Sequence, residues 1–315
     1  MNNELTDPYG RVITSLRISI TQKCNLNCIY CHQEGKNGKP RREISLDTIV
    51  KIATSATEFG IKKVKFSGGE PLMRSDFEDI ITALPDLKDI SATTNGVLLS
   101  KRAASLAESG LYRVNISLPS MNEENYGKIT GSPHSLSRVL DGIDAAIDAG
   151  LTPIKLNMVL LKGINEFEIN DAIHFVDNYN GNVILQLIEL MNFKNVSQYM
   201  VDINNVEKML ESRAAYIEER KMHRRKKYFI DGVEVELVRP IDNSSFCANC
   251  NRLRITSSGK LKSCLMRNDN LIDIKEEATA DEIREMIIKA AKIREPYYKN
   301  NPNRLWAKHE ITNIA

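Results

Sequence analysis

The chain repeats one local pattern six times, and this repetition is the strongest constraint on its fold. Each unit is a short apolar strand followed by a segment whose apolar residues recur at helical spacing. In the first unit, Ser45 is placed to cap the helix and Gly60 to end it. The six units are 16–20 with 45–59, 64–67 with 76–84, 90–94 with 101–109, 113–118 with 136–149, 154–160 with 166–178, and 183–190 with 206–220. They predict an α/β fold with a parallel sheet, a partial (β/α)6 TIM-like barrel.

After about residue 225 the pattern changes. Residues 228–230 and 233–238 flank Asp231-Gly232, and residues 252–256 and 260–264 flank a Ser-Ser-Gly turn. Both pairs are typical of β-hairpins, and a last helix is predicted over 280–294. The sequence therefore predicts a barrel over 1–225 and a smaller C-terminal α+β region over 226–315. No Pro/Gly/Ser-rich linker separates the two, so we expect them to pack together.

All cysteines of the chain fall into two triplets. They are Cys24, Cys28 and Cys31 after the first predicted strand, and Cys247, Cys250 and Cys264 in the C-terminal region. Three thiolates are one short of the four ligands that a closed zinc site or an all-cysteine iron-sulfur cluster needs. Each triplet therefore predicts a metal or cluster with an open position, where a substrate or cofactor can bind.

Length and composition argue against several other classes of protein. A chain of 315 residues can bury a large core without disulfide bonds, and its first residues lack the pattern of an export signal. We therefore expect reduced thiols and a cytoplasmic location. The sequence contains no apolar stretch of about 18 residues, so it predicts no membrane span. A net charge of +2 is too small to indicate nucleic-acid binding.

The first triplet has the spacing C-x3-C-x2-C, with Tyr30 directly before the third cysteine. Taken alone, this spacing is also compatible with a zinc site. The sequence Gly68-Gly69-Glu70-Pro71 follows the second predicted strand. Together, and within a strand–helix repeat, the two motifs resemble those of the radical S-adenosylmethionine (SAM) enzymes.

The second triplet narrows this resemblance. Residues 246–254 and 259–264 closely resemble the C-terminal motif of the GTP 3′,8-cyclases, the family that begins molybdenum cofactor biosynthesis. Residues 16–19 and 188–191 are similar to that family too, and the resemblance covers roughly residues 7–294. None of the five histidines lies within the C-terminal motif to complete a zinc site.

The resemblance implies two [4Fe-4S] clusters and SAM as cofactors. Cys24, Cys28 and Cys31 would be the catalytic cysteines, since the cluster that they hold binds and cleaves SAM. Cys247, Cys250 and Cys264 would hold a second cluster that faces the guanine of GTP. The implied SAM contacts are Tyr30, Gly69, Ser117 and Met191.

The resemblance also implies the substrate and the reaction. GTP would become (8S)-3′,8-cyclo-7,8-dihydroguanosine 5′-triphosphate through reductive cleavage of SAM and removal of the 3′ hydrogen. The guanidinium group of arginine can bind a phosphate through two hydrogen bonds, and the ammonium group of lysine attracts it as a compact charge. The implied GTP contacts are Arg17, Lys65, Thr93, Lys155, Arg252, Leu253 and Arg254.

The expected partners follow from the same resemblance. They are an electron donor protein and cyclic pyranopterin monophosphate synthase, which takes the product; a homodimer is also possible. We expect neither a membrane nor nucleic acid as a partner. The basic run at 220–227 is interpreted as a solvated surface.

Three positions depart from the family pattern. Lys65 stands where many members have arginine, and Leu118-Pro119 replaces a pair that usually ends in aspartate. The sequence ends in Ile314-Ala315, whereas the cyclases typically end in Gly-Gly, which predicts slow turnover unless Arg304 or Lys308 substitutes. Two alternatives remain open: a radical SAM enzyme acting on another substrate such as a peptide, and a catalytically degenerate GTP-binding or zinc-binding protein.

Overall fold

A computed structural model describes residues 4–35, 42–192, 195–241 and 243–296. The strands of these residues form one sheet of twelve. The six central strands run parallel in chain order: β1 (Ser15–Thr21), β2 (Lys63–Gly68), β3 (Asp89–Thr94), β4 (Arg113–Ser117), β5 (Ile154–Val159) and β6 (Val183–Ile188). The predicted parallel sheet is therefore confirmed, with all six strands in the expected places.

Helices connect these strands and cover the sheet. They are α1 (Leu46–Thr57), α2 (Phe77–Thr82), α3 (Ala103–Glu108), α4 (Glu123–Thr130), α5 (Leu136–Asp148), α6 (Ile169–Asp177) and α7 (Ile203–Arg213). Ser45 caps α1 as predicted, because its side chain accepts a hydrogen bond from the Thr48 amide at 3.2 Å. Gly60 follows that helix with a φ of 75°, which favours glycine. Short 3-10 turns cover Gln33–Gly35, Pro71–Met73, Leu99–Lys101, Ser197–Tyr199 and Met222–Arg224.

The segment after β6 differs from the prediction of one helix over 206–220. Helix α7 ends at Arg213, and strand β7 (Tyr216–Glu219) follows. β7 pairs with β8 (Lys226–Ile230), where the Tyr216 ring stacks on Phe229 with centroids 4.1 Å apart. Cross-strand pairing of aromatic residues favours a strand here over the helical periodicity of the sequence.

Helix α4 is a second difference, since no helix was predicted between β4 and α5. Its signals are nevertheless present in the sequence. Asn122 caps its first turn by accepting a hydrogen bond from the Asn125 amide at 3.0 Å, and Gly131 ends it with a φ of 71°.

The C-terminal region extends the barrel sheet at both edges. Its remaining elements are β9 (Val233–Val238), α8 (Ser244–Ala248), β10 (Arg252–Ile255), β11 (Lys260–Lys262), β12 (Ile272–Asp273) and α9 (Ala280–Lys292). Both predicted hairpins are present, as β8–β9 and β10–β11. In addition, β9 pairs in parallel with β6, and β10 pairs in parallel with β1. Strand β10, which lies between cysteines of the second triplet, is thereby paired with β1, the strand that precedes the first triplet.

The hydrophobic core lies between the sheet and its helices. Ile18, Phe66, Ile116 and Leu156 on the central strands are fully buried in it. Among the described residues, no helix combines the length and the apolar character needed to cross a bilayer.

Candidate active site

One cavity at the carboxyl ends of the parallel strands collects most of the predicted site residues. Its volume is about 360 Å³, within the range of small-molecule sites. All six cysteines line it. The other predicted residues that line it are Arg17, Tyr30, Gly69, Thr93, Ser117, Met191, Arg252 and Arg254.

The thiols of the first triplet lie close enough to influence one another. Burial raises the pKa of Cys28 to about 12, and repulsion from Cys31 and Cys24 contributes to the shift. Such a group of thiolates is stabilised by a cationic centre. Three thiolates are the ligand set of a [4Fe-4S] cluster with one open iron, because each cysteine then binds a different iron.

Helix α4 supports the loop that carries the first triplet. Its last two residues accept backbone hydrogen bonds from Asn27 and Ile29, both at 2.9 Å. From the other side, the Asn95 amide group donates to Asn25 Oδ1 at 2.7 Å and lies 3.8 Å from Cys24 Sγ. Two elements that are distant in sequence therefore fix the path of this loop.

Gly68 and Gly69 allow β2 to approach the start of the same loop. A Cβ atom on Gly69 would lie 2.1 Å from the Lys23 carbonyl oxygen, and one on Gly68 would lie 2.3 Å from that of Thr21. The Gly69 amide donates to the Thr21 oxygen at 2.8 Å. Gly69 was expected to contact SAM, and the close contact seen here is with the protein backbone.

Glu70 of the same motif is engaged in several hydrogen bonds. It is 1% exposed and accepts from Thr94 Oγ1 at 2.7 Å, from the Asn95 amide at 2.6 Å and from the Leu72 amide at 2.9 Å. Burial raises the pKa of its carboxyl group. These contacts link the ends of β2 and β3, which is a positioning role.

The four predicted SAM contacts line the cavity together, but the sequence reasoning missed a polar neighbour. Asn157 on β5 also lines it, and its buried Oδ1 has no hydrogen-bond partner among the described residues. The sequence of β5 could have identified Asn157, because Lys155 and Asn157 are polar residues at alternate positions of an apolar strand and therefore share one face.

The second triplet is held by two arginines that the sequence analysis did not single out. Arg11 Nη1 donates to the Cys247 carbonyl oxygen at 3.0 Å, and Arg294 Nη2 donates to that of Cys250. Both arginines also pair with Asp7, at 2.7 and 2.6 Å. Although burial opposes ionisation of Cys250, Arg294 and neighbouring arginines lower its pKa. This loop is therefore prepared to hold a negatively charged ligand set.

Three arginines form a concentration of positive charge in the cavity wall. Arg17 on β1 lies opposite Arg254 on β10 in the strand register, and Arg252 is two residues away on the same strand. Burial, together with repulsion from Arg17 and Arg254, lowers the pKa of Arg252 to about 9. Arg17 Nη2 also donates to Thr93 Oγ1 at 3.3 Å. Crowded, partly buried cations of this kind favour the binding of an anion.

Glu34 provides an internal anion for these arginines. One carboxylate oxygen lies 3.0 Å from Arg254 Nη1, and the other lies 3.8 Å from Arg17 Nε. Burial opposes its ionisation, yet attraction to Arg17 and Arg254 lowers its pKa to about 2. The sequence analysis missed Glu34, whose only signal was its position three residues after Cys31.

Three predicted GTP contacts are not among the residues that line this cavity. Lys65 donates to Asn115 Oδ1 at 2.9 Å, and Lys155 pairs with Glu236 at 2.5 Å. Leu253 packs in the hydrophobic core because it alternates with the two arginines of β10. A direct contact of these side chains with GTP stays a prediction.

Only part of the basic run at 220–227 is the solvated surface that was expected, since Lys221 and Arg224 are exposed. Arg225 is 8% exposed and His223 only 3%. Arg220 and Arg225 pair with Glu236 at 2.7 and 3.1 Å. Glu236 is fully buried, and a buried carboxylate requires such partners. The interpretation as a solvated surface was therefore wrong for these residues.

The predicted effect of the C-terminal sequence concerns positions outside the described residues. Ile314 and Ala315, as well as the proposed substitutes Arg304 and Lys308, all lie there. The expectation of slow turnover stays a prediction.

Known proteins share both parts of the sequence. Residues 18–176 match the radical SAM superfamily, and residues 183–300 match Molybdenum Cofactor Synthesis C. A probable GTP 3′,8-cyclase of Methanosarcina acetivorans is 56% identical over 300 residues, which covers 93% of this chain and 90% of that protein. The probable GTP 3′,8-cyclase of Methanocella arvoryzae is 50% identical over 98% of this chain and 99% of its own.

Solved structures show the same fold at low sequence identity. Streptococcus suis SuiB bound to S-adenosylmethionine has a TM-score of 0.59 and 18% identity, covering 87% of this chain and 64% of SuiB. anSMEcpe with bound AdoMet has a TM-score of 0.57 and 15% identity, covering 88% of this chain and 79% of that one. The partial-barrel prediction is thus confirmed, and this likeness shows the fold alone.

Proposed function

Because the chain belongs to the radical SAM superfamily and, within it, to the GTP 3′,8-cyclase family, we propose that it cyclises GTP in molybdenum cofactor biosynthesis. The product would be (8S)-3′,8-cyclo-7,8-dihydroguanosine 5′-triphosphate. Membership of the superfamily implies SAM and one [4Fe-4S] cluster as cofactors. The second cluster, the electron donor protein and transfer of the product to cyclic pyranopterin monophosphate synthase are parts of the proposal.

One observation carries the proposal: a single cavity is lined by both cysteine triplets and by three partly buried arginines. A substrate that contacts both ends of this cavity must have an anionic part for the arginines and a polar part for the second triplet. A nucleoside triphosphate has both. Holding it between the two triplets would make orientation a large part of the catalysis.

The first triplet would hold the cluster that binds SAM. When bound, the cluster and SAM supply the one-electron chemistry that removes the 3′ hydrogen of GTP. The protein fixes the thiols through helix α4 and the Gly68-Gly69 turn. Tyr30, Ser117 and Met191 would bind SAM beside them and keep water away from it.

The arginines would bind the triphosphate. Arg17, Arg252 and Arg254 line the same cavity as the triplets, and Thr93 adds a hydroxyl group. Bidentate contacts from such guanidinium groups fix a phosphate in orientation as well as in place. Cys247, Cys250 and Cys264 would then hold the second cluster against the guanine base.

Anaerobic reconstitution tests this proposal. The protein is loaded with iron and sulfide and incubated with GTP, SAM and a reductant, and chromatography with mass spectrometry follows 5′-deoxyadenosine and the cyclised nucleotide. We expect both products, and neither from Cys28→Ser, because that variant lacks a ligand of the first cluster. Cleavage of SAM without a cyclised nucleotide would instead indicate a radical SAM enzyme with another substrate.

A further inference from the structure

His223 is a buried imidazole in the cavity wall that the proposed mechanism has not used. Its side chain is 3% exposed, and the residue lines the same cavity as both cysteine triplets. Its Nε2 is buried and meets no hydrogen-bond partner within the part of the chain that the structure describes. A buried polar atom without a partner costs free energy, so such an atom in a ligand cavity indicates that a ligand completes it.

The surrounding structure fixes His223 firmly. Its ring stacks on Phe246, with centroids 3.8 Å apart and planes inclined by 16°. Its backbone amide donates to the Asn249 carbonyl oxygen at 3.1 Å. Both partners belong to the loop of the second triplet, so the imidazole is held against that loop.

The backbone at His223 has an unusual conformation. Its φ is 64°, and that of Arg224 is 48°. Two successive left-handed residues other than glycine are unfavourable and persist where surrounding contacts determine them. The turn brings His223 into the cavity wall between buried Arg225 and the second triplet.

The charges around His223 indicate which ligand group would meet it. Burial holds the pKa of His223 well below its usual range, and Arg252, Arg225, Arg254 and Arg220 lower it further. The imidazole is therefore neutral and has a single N–H to donate. The groups that lower this pKa most after burial are all arginines, so an anionic acceptor is the partner that suits an N–H donor at this position.

We propose that His223 is a substrate-positioning residue whose Nε2–H donates a hydrogen bond to a phosphate oxygen of the nucleotide. This inference rests on the proposed function for the identity of the nucleotide. It adds a neutral donor to the arginines of the same wall. A neutral donor can fix the orientation of a phosphate without adding to the repulsion among the arginines.

Two substitutions separate this role from a purely structural one. His223→Phe keeps an aromatic ring to stack on Phe246 but removes the nitrogen, whereas His223→Gln keeps an N–H donor and removes the ring. His174→Phe is the matched control, because His174 is exposed on α6. The iron content of each reconstituted protein is measured first, and then its equilibrium binding of GTP and of inorganic triphosphate.

If His223 donates to a phosphate, His223→Phe weakens the binding of both ligands about tenfold or more, the loss expected for a hydrogen bond to a charged group. His223→Gln stays within about threefold of the unmodified protein, and the control is unchanged. Normal iron content in all variants is part of the expected result.

Other outcomes overturn the inference. If His223→Phe binds both ligands with normal affinity, the imidazole nitrogen makes no contact with them and the ring acts by packing. Equal loss of affinity in His223→Phe and His223→Gln would also show that the N–H donor is not what matters. A loss of GTP binding without a loss of triphosphate binding would place the contact on the nucleoside, and a loss of iron would assign His223 to the second triplet. If the unmodified protein binds triphosphate but not GTP, the proposed function fails, while the test of His223 remains readable with triphosphate.

Discussion

Glu34 has two opposing effects at the scale of a single residue. It neutralises partly buried Arg17 and Arg254, and it also occupies the guanidinium groups that GTP would need. We expect Glu34→Gln to destabilise the ligand-free protein by about 3 kcal/mol, because these partly buried cations lose their partner. We expect GTP to bind about tenfold more tightly, because it no longer displaces an ion pair. Chemical denaturation and equilibrium binding measure the two effects.

A surface ion pair provides the control for this prediction. Arg42 and Glu276 lie 2.5 Å apart, and the arginine side chain is 76% exposed. Glu276→Gln should therefore change stability by less than about 1 kcal/mol and leave GTP affinity unchanged. Weaker binding of GTP by Glu34→Gln would show that the carboxylate organises the arginines for the substrate instead of competing with it.

Single residues were predictable where their own spacing carried the signal. The cysteines and the Gly-Gly turn are local patterns, and the structure places them together. Their partners were not predictable, since contacts such as those of Arg11 and Arg294 join residues far apart in sequence. Basic residues in a run look the same whether they face water or a buried carboxylate, which is why the environment of Arg225 was misread.

At the scale of elements, a buried charge cluster joins β5, β9 and the segment before β8. Glu236 on β9 pairs with Lys155, Arg220 and Arg225. Burial opposes its ionisation, but these cations lower its pKa to about 2. Because an unfolded glutamate titrates near 4.3, the stabilisation is complete above about pH 4.5 and is lost as the pH falls towards 2.

Glu236→Gln tests this pH dependence. The variant should be less stable by about 3 kcal/mol at pH 7, because three cations lose a buried carboxylate. Its stability should also fall less than that of the unmodified protein between pH 4.5 and 2. Urea denaturation across this range measures both effects, with exposed Glu218→Gln on β7 as the control. An identical acid dependence in both proteins would contradict the assigned role.

The elements themselves were predictable where periodicity and caps agreed. Strands β1 to β6 each carry buried apolar residues of the core, and α1 has both a capping serine and a terminating glycine. Helix α4 was missed because its apolar residues are few, although Asn122 and Gly131 mark its ends. The end of α7 was misplaced because β7 forms by pairing with β8. The periodicity of apolar residues within one segment contains no information about such a pairing.

At the scale of the whole molecule, the sequence indicated two regions but not how they are joined. The pattern change near residue 225 is real, since antiparallel hairpins follow it. Local patterns do not show which strand edges meet. In the structure β9 and β10 pair with β6 and β1, so the C-terminal region completes both edges of the barrel sheet. The division into a barrel over 1–225 and a smaller C-terminal region over 226–315 stays a prediction.

This pairing leads to a prediction about the fragment 1–225. Without the rest of the chain, β1 and β6 lose their outer neighbours, and Lys155, Arg220 and Arg225 lose Glu236. Exposed strand edges promote association, and buried cations without a carboxylate are costly. We therefore expect the fragment to lack a cooperative unfolding transition by circular dichroism and to aggregate. Full-length Cys247→Ser, which keeps every strand, should retain that transition. A soluble fragment that unfolds cooperatively would show that the barrel is an autonomous domain and that the shared sheet edges contribute little to its stability.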